Sequence, residues 1–165
     1  MRSIHRSFAV AVVVVLLWGC AGVRNPPPPP PPPPGPRAQI SLDVQRTALP
    51  GYVRTYGSNG HLYSYKFSGG DDRHGNATVK HTEGPNIPIQ VALDNASNFV
   101  IGEVEFSDDP DGQLSRNIIA GGLKATITDK NKDGVALDAY YSVKVIDNSA
   151  SPPAEVYCDP RIVNN

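Results

Sequence analysis

Nine consecutive prolines, residues 26–34, followed by Gly35-Pro36, interrupt this chain with a segment that constrains its own backbone more than any other part of the sequence. Proline fixes φ at about −65° and has no N–H to donate, so the tract fits neither a helix interior nor a central strand. Polyproline II is what remains. At ~3.1 Å per residue the tract is a stiff rod of about 30 Å. It is either a spacer or a ligand for a proline-recognising domain. The latter belongs to the cytoplasm, and the residues before the tract point elsewhere.

Those residues read as an export signal. Arg2, His5 and Arg6 make a basic start, and Phe8 to Trp18 is an unbroken apolar run of 11 residues. Such a run is too short to cross a bilayer as a helix and fits the apolar region of a signal peptide. It ends in Leu17-Trp18-Gly19-Cys20. Leucine at −3, a small residue at −1 and then cysteine resembles a bacterial lipobox, with Trp18 a departure at −2. The resemblance implies cleavage before Cys20, a thioether-linked diacylglycerol on its sulfur, and a membrane anchor of more than one acyl chain. Ordinary cleavage near Ala21 and an uncleaved anchor are the other readings. Ala21 stands where an inner-membrane retention signal would often have Asp, so the expected location is the envelope, at the outer membrane. The expected organisation is signal peptide 1–19, proline linker 20–37 and one domain over 38–165.

The domain's length suffices for one core. From residue 38 on there are 11 Lys+Arg against 16 Asp+Glu, a net charge of about −5. A net-acidic domain without a basic stripe is a poor partner for nucleic acid. Cys20 and Cys158 are the two cysteines. With Cys20 acylated, Cys158 has no disulfide partner. It reads as a small apolar residue in a strand, with a cysteine nucleophile the alternative.

Apolar residues alternate at period two throughout the domain. Ile40, Leu42 and Val44 do so, as do Val104 and Phe106 against Glu103 and Glu105. Leu123, Ala125 and Ile127 follow the same rule, and so do Ala139, Tyr141, Val143 and Val145. Leu62 to Phe67, Ala77 to Thr82, Ile87 to Leu93, Val156 to Asp159 and Ile162-Val163 are further strand material. Turn residues separate them at Gly57 to Gly60, Ser68 to Asp72, Asp108 to Gly112 and Asp129 to Gly134. Helical spacing is never sustained. The pattern predicts an all-β domain, an antiparallel β-sandwich of about seven or more short strands.

Several features bear on chemistry. Asp129-x-Asn131-x-Asp133-Gly134 matches the first half of a calcium loop, but its twelfth position is Tyr140 where a bidentate Glu is needed. The plain interstrand turn is the preferred reading. The acidic turn Asp108-Asp109-Pro110-Asp111-Gly112 reads as a solvated loop. His61, His74 and His81 lack ligand spacing, and no phosphate loop, HExxH or GxSxG occurs, so neither cofactor nor metal is expected. Tyr52, Tyr56, Tyr63 and Tyr65 would suit carbohydrate or protein contacts, or else are half-buried strand residues.

The C-terminus, Tyr157-Cys158-Asp159-Pro160-Arg161-Ile162-Val163-Asn164-Asn165, holds an Asp-Pro bond. The Asp carboxyl can reach its own carbonyl through a five-membered ring, and the leaving nitrogen belongs to a readily protonated tertiary amide. Asp109-Pro110 is a second copy of this common dipeptide.

From Asn98 to Asn165 the chain resembles the Asp-Pro endopeptidases, small self-cleaving β-sandwich domains. The resemblance lies in Phe99-Val100-Ile101-Gly102, Asp129-Lys130-Asn131, Tyr140 to Ile146, and above all the ending Asp159-Pro160-Arg161-Ile162-Val163-Asn164. It implies autoproteolysis at Asp159–Pro160, with a tail that stays paired as a strand. It further implies a lysine able to join the freed Asp carboxyl, for which Lys144 is the candidate. A second carboxylate is expected to assist, drawn from Asp129, Asp138 and Glu103. Against this stand a non-catalytic module binding protein or glycan, and a structural part of an envelope assembly that adds an edge strand to a partner.

Overall fold

The computed structural model describes residues 28–30, 35–95, 97–132 and 137–164. The signal segment, Cys20 and most of the proline tract lie outside the described residues, as do Asp133 and Gly134 of the calcium-like turn. The chain divides into two compact units, Met1–Pro33 and Pro34–Asn165. Among the described residues no helix is long and apolar enough to cross a membrane.

The second unit is all β. Its strands are β1 (Ala38–Gln45), β2 (Val53–Tyr56), β3 (Leu62–Gly69), β4 (Ala77–Val79), β5 (Ile87–Leu93) and β6 (Phe99–Ser107). They are followed by β7 (Leu114–Ile119), β8 (Lys124–Asp129), β9 (Asp138–Asp147), β10 (Ala154–Cys158) and β11 (Arg161–Asn164). One sheet has the order β2-β3-β1-β5-β8-β7. In the other, β6 lies along one edge of β9, β10 and β11 lie along the opposite edge, and β4 flanks β11. The sandwich expected from the alternation is therefore present. Two neighbour pairs are parallel, β1 with β5 and β11 with β4. A parallel pair needs a long crossover, and β2, β3 and β4 occupy the one between β1 and β5.

The fold also takes in Arg37, which the sequence reading leaves in the linker. Its N–H donates to Pro88 O at 2.7 Å, and its guanidinium bonds Glu83 and Asp71.

Period-two alternation puts one face of each sheet inward. Ile40, Leu42, Val44, Ile89, Val91, Ala125 and Ile127 come from the first sheet, and Val104, Val143, Val145, Val156, Cys158 and Ile162 from the second; all are buried. Each large aliphatic among them contributes roughly 1.5–3 kcal/mol. In β6 the phase changes. Phe99 and Ile101 are buried before Gly102, and Val104 after it. The register against β9 shifts by one between Ile101 and Glu103, a β-bulge that brings Glu103 opposite Lys144. A Cβ at Gly102 would stand 2.6 Å from Ile146 Cδ1, so any larger residue there would have to displace that side chain.

Candidate functional site

The Asp-Pro junction lies inside a strand line. β10 pairs with β9 from Ala154 opposite Asp147 to Cys158 opposite Val143, and β11 continues with Arg161 opposite Tyr140 and Val163 opposite Asp138. The register does not slip across the gap. It sets Asp159 opposite Ser142 and Pro160 opposite Tyr141. Tyr141 N–H donates to Pro160 O at 3.2 Å, while Pro160 has no N–H to return. Asp159 is exposed and Pro160 buried. The Asp159 N–H faces the first sheet and donates to Tyr65 Oη at 3.3 Å.

Beneath the junction runs a chain of rings. Tyr65 meets Phe67 edge-on at 5.8 Å, and Phe67 meets Tyr141 edge-on at 6.3 Å. The Tyr141 hydroxyl donates to Gly75 O at 2.7 Å. Burial pushes both tyrosine hydroxyls up in pKa, so they remain neutral donors and acceptors. An open cleft of about 300 Å³ lies at the junction, lined by Tyr65, Lys66, His74, Asn76, Asp159 and Pro160 among others. Sequence reasoning attached neither Tyr65 nor His74 to this bond. No local pattern links them to it, since Tyr65 is 94 residues away.

The other candidates are elsewhere. Lys144 stands opposite Tyr157 rather than Asp159. Its Nζ lies 2.9 Å from Glu103 Oε2 and 3.8 Å from Glu155 Oε1, and so leans away from Asp159. The hydrogen bond to Glu103 raises the lysine pKa, so Lys144 is an ammonium without a free lone pair. The trapping role needs a neutral amine and is not prepared here. Glu103 sits across β9 from the junction, bonded to Lys144 and Arg116. Those partners, Lys144 first, hold its carboxyl below the usual range. Asp129 is buried at the end of β8 in the other sheet, where its Oδ1 accepts the Asn131 N–H at 2.8 Å. Asp138 opens β9, opposite Val163, four residue steps along the strand from Ser142, or about 13 Å. None of the three lines the junction cleft.

Cys158 is a free, fully buried cysteine. Burial, and then the neighbouring Asp159, push its thiol well above the ordinary range. Of the tyrosines, Tyr63 and Tyr65 are core residues, Tyr52 donates to Asp43 at 2.6 Å, and Tyr56 is 71% exposed, so the four form no single platform. In the acidic turn, Asp109 accepts from the N–H groups of Gln113 and Leu114 at 2.7 and 3.0 Å and so starts β7. Asn131 points inward, its amide bonding Lys80 O and Gly84 O. A second open cleft, of about 470 Å³, lies at the other end of β10 around Arg46, His61, Tyr63 and Asp147.

Compared with known proteins, the chain matches no family model and no curated protein.

Proposed function

We propose that this chain is an envelope lipoprotein, acylated on Cys20 at the outer membrane. It displays its β-sandwich on the polyproline spacer, and the sandwich cuts its own Asp159–Pro160 bond. The observation carrying this reading is the unbroken register of β10 and β11 along β9, which grips the chain on both sides of that bond. A bond gripped on both sides presents one fixed geometry to its own side-chain carboxyl.

In the reaction, a carboxyl oxygen of Asp159 attacks the Asp159 carbonyl carbon and closes a five-membered anhydride. The C–N bond to Pro160 breaks, and the nitrogen takes a proton. One water then opens the anhydride, leaving a chain that ends at Asp159 and a tail that begins at Pro160. Tyr65 positions the backbone through the Asp159 N–H. Lys66 and His74 line the junction cleft beside Asp159 and Pro160.

Intact mass of the purified protein tests the reading. The expected result is a body ending at Asp159 together with a six-residue tail, both lost in Asp159→Ala. A single uncut mass after weeks at neutral pH, or an Asp159→Ala chain that still breaks there, overturns it.

The ion pairing of Lys144 and Glu103 favours a second reading, a non-catalytic binding or structural module on the same anchor. In that case the Asp159–Pro160 bond stays whole. Glycan-array or pulldown binding would then depend on exposed groups such as Tyr56.

A further inference from the structure

The strand beyond the Asp-Pro bond occupies a slot with two walls. β11 pairs antiparallel with β9 on one side and parallel with β4 on the other. β4 has no other partner strand among the described residues. Ile162 falls in one row between Ala77 of β4 and Ala139 of β9, and all three are fully buried. A large side chain flanked by two methyl groups is a size match that a particular sequence, placed in a particular register, satisfies.

Scission changes what this slot holds. In the intact chain the buried Pro160 nitrogen belongs to a neutral amide. After the cut it is a secondary amine, protonated at neutral pH, so a buried position that held a neutral amide now carries a charge. The tail is then held by the short β11 ladder, the Pro160 carbonyl and the Ile162 side chain, with no covalent link. Its departure would bare the facing edges of β4 and β9 and the space between two alanines. In the folded protein the segment seated there is residues 160–164 of this sequence, so every copy of the chain carries an occupant of the right shape.

We propose that the slot between β4 and β9 is a strand-acceptor site which, once Asp159–Pro160 is cut, takes up the C-terminal segment 160–165 of a second copy of this chain. The partner is recognised by main-chain pairing on both edges and by an apolar side chain at the third position of the tail, with proline leading. This inference rests on the self-cleavage reading.

Mixing decides it. Cut full-length protein, with its cut state verified by intact mass, is prepared unlabelled and ¹⁵N-labelled, and equal amounts are combined. Native mass spectrometry is expected to show unlabelled bodies carrying labelled tails, approaching half of all complexes. Synthetic peptide Pro-Arg-Ile-Val-Asn-Asn is expected to compete for the slot. The same peptide with aspartate in place of the isoleucine that corresponds to Ile162 should compete about a hundredfold less well, because a buried unpaired charge costs that much. Cut chains that keep their own tails through days of mixing overturn the inference while leaving self-cleavage intact. So does equal competition by the aspartate peptide. Protein that is never cut overturns both.

Discussion

The Asp159 N–H donates to the Tyr65 hydroxyl at 3.3 Å, which ties the junction between β10 and β11 to the facing sheet. Tyr65→Phe keeps the ring and its edge contact with Phe67 and removes only the acceptor. The cost is about 1 kcal/mol of stability, the net value of one hydrogen bond. Amide hydrogen exchange should quicken at Asp159 while the amides of β9 change little. If the junction reacts as proposed, scission in Tyr65→Phe should also slow at unchanged fold, as read by intact mass over time.

A second intersheet tie should make stability depend on acid. Asp147 is 1% exposed and accepts from Arg46 Nε and Nη2 at 2.7 Å each, from Ser149, and from Tyr63 Oη at 3.1 Å. These donors, Arg46 first, hold its carboxyl far below the usual range. The fold thus selects the carboxylate. Its contribution is complete above the unfolded value of about 4 and is lost as pH falls through the folded one. Melting temperature should therefore drop steadily below about pH 4, and less steeply in Asp147→Asn. At neutral pH, Asp147→Ala should cost about 3 kcal/mol, near the low end for a broken buried pair because Arg46 is partly exposed.

Much of the fold is legible in the sequence because period-two alternation is local. The change of phase in β6 is itself written there, with buried Phe99 and Ile101 at odd positions and buried Val104 at an even one. Two strands escape the pattern. β2 reads Val-Arg-Thr-Tyr and β7 reads Leu-Ser-Arg-Asn-Ile-Ile, and both are edge strands whose residues are mostly exposed, so no buried stripe marks them. The candidate site is less legible. Asp159 and Pro160 announce a reactive bond, but what surrounds them comes from distant positions. Tyr65 and Asp159 are 94 residues apart, and Arg46 and Asp147 are 101 apart. Lys144 lies on β9, the strand beside the junction, opposite Tyr157. The bulge at Gly102, by bringing Glu103 opposite it, decides where its ammonium goes.

Cys158 should be chemically silent in the native protein. Its side chain is fully buried on the inner face of β10, and burial disfavours the thiolate that reacts with alkylating agents. Peptide mass mapping after iodoacetamide treatment at pH 8 should find Cys158 unmodified in folded protein and fully modified in denaturant. Rapid native labelling would show that the β10 end of the sandwich opens far more often than its packing implies.

The turn after β8 makes the last prediction, because its calcium-like sequence and its observed bonds point to different outcomes. Asn131 is 2% exposed and has a positive φ of 44°, a backbone region that Asn tolerates better than most residues. Its amide donates to Lys80 O at 2.9 Å and Gly84 O at 2.8 Å, so it serves as the peg on which the turn before β5 hangs. Asn131→Ala leaves two carbonyls without that donor and strains the backbone, and should destabilise by about 2 kcal/mol. Asn131→Asp keeps an oxygen ligand suited to calcium but loses both donated bonds, so a structural peg and a metal ligand respond in opposite ways. The peg predicts that Asn131→Asp melts as low as Asn131→Ala or lower, with no recovery at millimolar calcium. A wild-type melting temperature that climbs with calcium, and an Asn131→Asp variant restored by it, would show that the loop is built for the ion.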